Sequence, residues 1–159
     1  MLKLKEWRRD ERGVSAVEFA GALPMLLILM LFITELGRAY IQANTIEKGL
    51  RTCGLYAARA DLNAAGTDLP ASTRLRCVSL MRTGTLNNSG NFLVPGWETP
   101  ALINLIVEAR VHEGAPLNVI TLDVSVPFAP LFPGLMNFLG MTGDTFMINL
   151  KHEQPYLGS

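Results

Sequence analysis

The residue whose type and position most clearly call for a chemical role in this chain is Glu18. A charged N-terminal stretch ends at Gly13, an apolar run begins at Val14, and Glu18 places a carboxylate within that run. A carboxylate at the depth of the hydrocarbon costs a few kcal/mol or more, so such residues usually have a function. At the membrane surface the cost would be small, and Glu18 would then need no special role. Glu18 is the first candidate functional residue.

The two cysteines, Cys53 and Cys77, are the next candidates. Both follow the apolar run, on the side of the membrane that we expect to be oxidising, so a disulfide is the favoured interpretation. It would close a loop of about 25 residues, which chain-entropy estimates value at about 3–4 kcal/mol. The alternative is a pair of buried free thiols that behave as small apolar side chains. No histidine lies near either cysteine in the sequence, so a metal site is not predicted.

Residue constellations typical of enzymes are missing from the sequence. His112 and His152 fit solvated polar side chains, and Asp123 fits an outward-facing carboxylate on a strand. The chain has no GxSxG, P-loop, HExxH or dinucleotide-binding motif. The formal net charge is zero and the basic residues are scattered, which argues against a nucleic-acid groove. We therefore predict no enzymatic activity, no cofactor or metal, and no nucleic acid or small-molecule substrate as a partner.

The first element that must position Glu18 is a membrane anchor. Residues 14–33 form an apolar run of 20 residues, interrupted by Ser15 and Glu18, and roughly 20 residues span a bilayer as a helix. An excess of basic residues before the run predicts a cytoplasmic N-terminus. A cleaved secretory signal peptide is the alternative, but no small-x-small cleavage site follows the run. Pro24 would kink the helix, which membrane helices tolerate.

Beyond the anchor, the same helix is expected to continue to about Asp61. Apolar residues recur there at steps of three and four, which mark one helical face; they are Leu36, Tyr40, Ala43, Ile46, Leu50, Cys53 and Ala57. Glu47 and Arg51 form an i,i+4 pair that favours the helix. The helix would therefore offer an apolar stripe to a domain that follows it.

The rest of the chain predicts a short helix ending near Gly84 and three strands, at residues 105–112, 118–128 and 145–152, in which polar and apolar residues alternate. We expect an α+β fold, in which a long N-terminal helix packs against a small antiparallel β-sheet. The expected organisation is a leader at residues 1–13, a transmembrane segment at 14–34, a helix extension at 35–62 and an α+β domain at 63–159.

The segment from Arg12 to Ile33 resembles a known family. The string GVSAVEFAGALPMLLILM, which begins at Gly13, is similar to the TadE-like (TadE/TadF) pseudopilins of tight-adherence (Flp) type IV pilus systems. Members share a glycine, a Glu-Phe or Glu-Tyr pair, an early proline and a long helix beyond it. Glu18, Phe19 and Pro24 match that pattern here. The closing segment INLKHEQPY also resembles the way such chains finish.

The resemblance implies one processed bond and one docking carboxylate. Gly13 would end a leader removed by a membrane-embedded prepilin peptidase, and Val14 would become the new N-terminus. Glu18, with Phe19 beside it, would serve subunit docking or recognition by the assembly platform. A neighbour's terminal amine would supply the cation that makes the carboxylate less costly in lipid. The soluble portion is larger than in major Flp pilins, which favours a minor subunit.

The partners that the resemblance implies are the inner membrane, the prepilin peptidase, other pilins or pseudopilins and the platform proteins. The implied location is the bacterial inner membrane, with the C-terminal domain extracytoplasmic, or the pilus after assembly. The leading alternative is an unprocessed single-pass protein whose extracytoplasmic domain binds an envelope partner. In that case Gly13 and Glu18 are ordinary residues at the cytoplasmic surface of the membrane.

Overall fold

A computed structural model describes residues 11–98, 103–138, 140 and 146–158. Their elements are α1 (Glu11–Ala58), α2 (Ala71–Thr83), β1 (Ile103–His112), β2 (Ala115–Pro127), α3 (Pro133–Phe138) and β3 (Met147–Pro155). The chain divides into two compact units, of which the first ends at Gly37 and the second begins at Arg38. The α+β class expected from the sequence is confirmed. Residues 1–10 of the expected leader lie outside the described residues.

The first unit is the N-terminal part of α1. Within the described residues, α1 is the one helix that is long and apolar enough to cross a membrane, and none of its most apolar window is buried. Pro24 lies inside α1, and the helix continues on both sides of it. A helix that is apolar all round and satisfies its own backbone hydrogen bonds is suited to lipid.

The core of the second unit lies on one face of α1. Ile46, Leu50, Cys53 and Ala57 are buried there, as the helical spacing predicts. α1 ends at Ala58, a few residues before the expected end.

The expected stripe is wrong at its N-terminal end, because Leu36 and Tyr40 are exposed. At the start of the second unit the buried position is taken by Gln42, whose side-chain amide donates to the carbonyls of Pro95 at 3.4 Å and Pro127 at 3.3 Å. The buried face at this level is therefore polar, and the apolar residues of the helix turn away from it.

α2 packs against α1 at a glycine. A Cβ atom at Gly49 would lie 2.9 Å from the carbonyl oxygen of Met81 and 3.3 Å from the ring of Trp97. One turn further along α1, a disulfide joins Cys53 to Cys77, whose Cα atoms are 4.9 Å apart. The two helices therefore approach each other more closely than any larger residue at position 49 would allow.

The three strands form an antiparallel sheet in the order β1-β2-β3. The inner face of the central strand contributes Ile120, Leu122, Val124 and Val126 to the core that it shares with α1. β3 also packs on α1 at a glycine, since a Cβ atom at Gly54 would lie 3.1 Å from the imidazole of His152.

His152 is therefore half-buried on the inner face of the sheet, whereas the sequence suggested a solvated side chain. The difference follows from the register, because His152 pairs with the core residue Leu122 and so shares its face. β3 also ends later than expected, at Pro155, since the ladder to β2 continues through Gln154. The expected start of this strand, Thr145, lies outside the described residues.

The segment after β3 is tied to the end of α1. The backbone N–H of Tyr156 donates to the carbonyl of Asn118 at 2.9 Å, and that of Leu157 donates to the carbonyl of Ala58 at 3.1 Å. The Tyr156 hydroxyl donates to the carbonyl of Ala60 at 3.0 Å. The bond from Leu157 satisfies the carbonyl of the last residue of α1, which a helix end leaves without an intrahelical partner.

Candidate functional site

The residues that the sequence singles out for processing lie at the start of α1. Gly13 and Val14 are the third and fourth residues of the helix, which begins at Glu11. Both are exposed, and a Cβ atom at Gly13 would meet nothing within 4 Å. The bond between Gly13 and Val14 therefore lies on an exposed part of α1.

Glu18 is exposed one turn further along the same helix. Residues three and four positions away on a helix are its neighbours on the surface, and here they are Val14, Ser15, Gly21 and Ala22. None of these residues is basic, so this part of α1 supplies no cation to Glu18 from an adjacent turn. Ser15, Gly21 and Ala22 are small, which allows a second helix to come close in a membrane.

Phe19 and Pro24, the other two residues of the predicted signal, do not share this surface. Phe19 is exposed next to Glu18, and Pro24 lies two turns beyond it within α1. The structure therefore brings Gly13, Val14 and Glu18 onto adjacent turns. Phe19 and Pro24 contribute to the apolar surface of the helix around them.

The outer face of the sheet carries a cluster of charges that sequence patterns do not predict. Arg110 on β1 reaches across β2 and donates to Glu153 on β3 at 2.9 and 3.1 Å, and it also donates to Glu108 at 2.8 Å. Lys151 pairs with Glu153 at 2.9 Å. Thr121, on the strand between them, is buried on the outer face. The ion pairs therefore cover the middle of the sheet.

This pairing shifts the pKa values of the groups involved. The hydrogen bond from Arg110, followed by that from Lys151, lowers the pKa of Glu153 to about 2, and the bond to Glu153 raises the pKa of Lys151. The side chains are substantially exposed, so salt screens the interaction. The cluster fits a structural role, because every charged group in it is paired with an opposite charge.

Next to these charges the outer face has an open cleft of about 590 Å³. Its polar lining consists of Asn104, Asp123, Ser125, Asn149 and Lys151. Asp123 is half-buried on the outer face, as expected for this strand. The hydroxyl of Ser125 donates to the side-chain oxygen of Asn149, and no histidine is part of the lining. The cleft can form hydrogen bonds but has no activated nucleophile.

The two cysteines lie in the core of the second unit, where their role is structural. The disulfide between Cys53 and Cys77 is buried in the core between α1 and α2. Among the described residues, no group of three or more His, Cys, Asp or Glu side chains is close enough to hold a metal ion. The state of the two thiols in the cell stays a prediction.

Comparison with known protein families gives a match within α1. A family model described as TadE-like protein matches residues 13–54. The match begins at Gly13 and covers Glu18, Phe19 and Pro24. Neither the curated proteins nor the solved structures gave a match to this chain. The family resemblance expected from the sequence is confirmed.

Proposed function

We propose, from the match of residues 13–54 to the TadE-like family model, that this chain is a minor pilin-like subunit of a tight-adherence (Flp) pilus system. The subunit is anchored in the inner membrane by α1, cut by a prepilin peptidase after Gly13, and takes part in pilus assembly. One observation carries the proposal: the matched segment begins at Gly13, and the helix it covers has an exposed apolar N-terminal half with Glu18 near its start.

Cleavage after Gly13 would change the surroundings of Glu18. In the uncut chain, no basic residue lies three or four positions from Glu18. Cleavage creates a charged amine at Val14, four residues before Glu18 and so on the same face of the helix. That amine, from the same chain or from a neighbour, is a cation that lowers the cost of placing the carboxylate in lipid. Processing would therefore prepare the helix for insertion beside other subunits.

The surface around Glu18 also suits helix–helix contact. Ser15, Gly21 and Ala22 lie one turn from Glu18, and small residues let the backbones of two membrane helices approach closely. A second processed subunit would present both its terminal amine and its own small residues. Docking would then combine close packing with an ion pair, in line with the assembly role.

The first test is the mass of the mature protein. The full-length chain is expressed with and without a prepilin peptidase, extracted from the membrane, and measured intact. We expect a chain that begins at Val14 only when the peptidase is present. Gly13→Val should block the cut, whereas Gly37→Val, at another exposed glycine of α1, should not. A chain that still begins at Met1, in cells where the peptidase cuts another prepilin, contradicts processing.

The second test concerns Glu18. Glu18→Ala and Glu18→Gln should leave membrane insertion and cleavage intact but reduce the number of pili, because neither side chain carries the negative charge that forms an ion pair with an amine. Glu47→Ala is the matched control, since Glu47 lies on α1 and pairs only weakly, with Arg51 at the surface. Normal piliation with both Glu18 variants would show that the carboxylate does not serve assembly.

A second candidate function is an unprocessed single-pass membrane protein whose domain binds an envelope partner. The open cleft of about 590 Å³ on the outer face of the sheet supports it. The mass measurement separates the two, because this candidate requires no cleavage. Under it, Asp123→Ala at the cleft should weaken partner capture, while Glu18→Ala should have no effect.

A further inference from the structure

We propose that copies of this chain associate head to tail, with β1 of one copy adding to β3 of the next copy as a parallel strand. In the register that we assign, Glu108 lies opposite Lys151 of the next copy. Arg110 then lies opposite Glu153. The inference goes beyond the proposed function and uses one part of it, namely that α1 spans a membrane.

The first observation is that the sheet has an edge open to strand addition. Within the described part of the chain, β1 and β3 each pair with β2 alone. β1 is 10 residues long and pairs with β2 without a bulge, and it contains no proline or lysine. Proteins usually protect edge strands with such residues or with bulges. An unprotected edge of this length is therefore a place where another strand adds.

The second observation is the direction of the backbone groups along β1. The carbonyl of Leu105 accepts a hydrogen bond from the guanidinium of Arg74 on α2, so it points away from β2. The backbone groups of every second residue of a strand point to the same side. Those of Val107, Ala109 and Val111 therefore also point away from β2, along the free edge.

The same alternation identifies the outward-pointing groups of β3. Leu122 on β2 lies opposite both Leu105 and His152. Because the groups of Leu105 point away from β2, those of Leu122 point toward β3 and bond to His152. The neighbours of His152, which are Lys151 and Glu153, therefore direct their N–H and C=O groups to the outer edge. Donors and acceptors thus face away from the sheet on both of its edges.

The third observation is a line of alternating charges across the outer face of the sheet. Arg110 on β1 pairs with both Glu108 and Glu153. Glu153, on β3, also pairs with Lys151. The line therefore begins with a carboxylate on β1 and ends with an ammonium on β3. A lysine on an edge strand opposes strand addition, unless the added strand places an acid opposite it, as Glu108 of a second copy does.

These charges select one register. Side chains on the same face lie opposite each other in adjacent strands, so the register changes in steps of two residues. In the assigned register, both charges on β1 lie opposite a charge of the other sign. A step in one direction places Arg110 opposite Lys151, and a step in the other places two carboxylates, Glu108 and Glu153, opposite each other. Like charges directly opposite each other are destabilising.

The direction of α1 favours this parallel contact over a symmetric dimer. A symmetric dimer would pair β1 with β1 about a two-fold axis, which in a continuous sheet is perpendicular to the sheet. Because α1 packs against the inner face of the sheet, that rotation would reverse α1 in the second copy. Parallel addition of β1 to β3 keeps this part of α1 in the same direction in every copy, as anchoring in one membrane requires.

The test is disulfide cross-linking of two differently tagged full-length chains that are expressed together in one membrane. One chain carries Ile106→Cys and the other carries Asn149→Cys, at positions that lie opposite each other in the assigned register. Adjacent strands are about 4.8 Å apart, which a disulfide spans. Within one chain, β2 separates the two positions, and the native cysteines are already joined. Asn104→Cys, on the same face of β1 but two residues out of register, is the matched control.

We expect oxidation to yield a dimer that contains both tags with Ile106→Cys and no such dimer with Asn104→Cys. Adding Glu108→Lys to the first chain should lower the yield about fivefold, since like charges then face each other. Adding Lys151→Glu to the second chain should restore the yield, which excludes a folding defect as the cause of the loss. The inference is wrong if Ile106→Cys gives no dimer, if Asn104→Cys gives as much, or if the second charge change restores nothing.

The cells used for cross-linking contain no prepilin peptidase, so the result does not depend on cleavage after Gly13. A chain that cross-links in register, but that the peptidase leaves uncut in the mass measurement, contradicts the proposed function alone. A chain that is cut but does not cross-link contradicts the strand pairing alone.

Discussion

Replacing Gly49 by alanine should destabilise the second unit, even though alanine is the better helix former. The added methyl group would lie 2.9 Å from the carbonyl oxygen of Met81 and 3.2 Å from its Cγ atom, with Trp97 at 3.3 Å. A backbone oxygen cannot swing aside as a side chain can. The disulfide between Cys53 and Cys77 also holds the two helices together one turn away. The contact is therefore relieved only by a shift of α2.

The magnitude follows from two opposing effects. Alanine in place of glycine stabilises a helix interior by about 1 kcal/mol. Overpacking a tight contact costs typically about 1–3 kcal/mol, and the upper half of that range applies where backbone must move. We therefore expect Gly49→Ala to lower the free energy of unfolding by about 1–2 kcal/mol.

Two other glycines of α1 provide a graded control. At Gly54 the nearest neighbour is the imidazole of His152 at 3.1 Å, a side chain that can rotate, so Gly54→Ala should be close to neutral. At Gly37 a Cβ atom meets nothing within 4 Å, so Gly37→Ala should not destabilise the second unit. Of the three variants, Gly37→Ala should be the most stable, Gly54→Ala intermediate and Gly49→Ala the least stable.

The assay is urea unfolding of the full-length chain in detergent micelles, followed by the change in tryptophan emission as the core around Trp97 opens. A lower midpoint at unchanged slope indicates lost stability, whereas a changed slope indicates a different unfolded or native state. If Gly49→Ala unfolds at the same or a higher urea concentration than the parent, the close approach of α2 to α1 is not what the distances imply.

The remaining predictions concern the disulfide and the charge cluster. Replacing Cys53 and Cys77 together by serine should lower the free energy of unfolding in urea by about 3–4 kcal/mol. In the parent protein, neither cysteine should react with an alkylating reagent until a reductant is added. Reaction without reductant would contradict the disulfide. Glu153 has a pKa lowered from 4.5 to about 2, so its contribution to stability is present above pH 4.5 and is lost as the pH falls toward 2. The unfolding temperature of Glu153→Gln should therefore fall less than that of the parent in that pH interval. The difference between the two proteins should shrink at high salt. An equal decrease in both would show that the pairing of Glu153 with Arg110 contributes nothing to stability.

The helices and strands could be predicted because their patterns of apolar residues involve only positions that are close in sequence. The buried positions of α1 at Ile46, Leu50 and Cys53 follow from steps of three and four. The hairpin between β1 and β2 is marked by Glu113 and Gly114, which take the positive φ angles of a tight turn. Such signals depend only on neighbours in sequence, so they survive without knowledge of the tertiary structure.

The predictions from sequence are wrong where tertiary contacts decide which residues are buried. Leu36 and Tyr40 continue the helical spacing of the buried stripe, but the polar side chain of Gln42 takes the buried position where the second unit begins. The role of Gly49 also escapes periodicity, because a glycine carries no apolar signal although it permits the closest approach of two helices. The sequence alone predicts a solvated His152, because the face on which it lies depends on the register with β2.

Some residues of the candidate site could also be predicted from the sequence, and others could not. Gly13 and Glu18 could be found from the sequence, since a break in composition and a carboxylate in an apolar run are visible there. The charge cluster could not, because Arg110 and Glu153 are 43 residues apart and lie on strands separated by β2. Residues that meet across a sheet become visible only once the strand order is known.

The bonds that tie Tyr156 and Leu157 to the end of α1 have a consequence for biosynthesis. α1 is made early, but the carbonyl of Ala58 receives its partner only when Leu157, about 100 residues later, has left the ribosome. The last strand, β3, likewise supplies one side of the sheet. In the orientation proposed above, the second unit therefore keeps an open apolar face until β3 and Leu157 have crossed the membrane. A chaperone on that side of the membrane then has an interval in which to act.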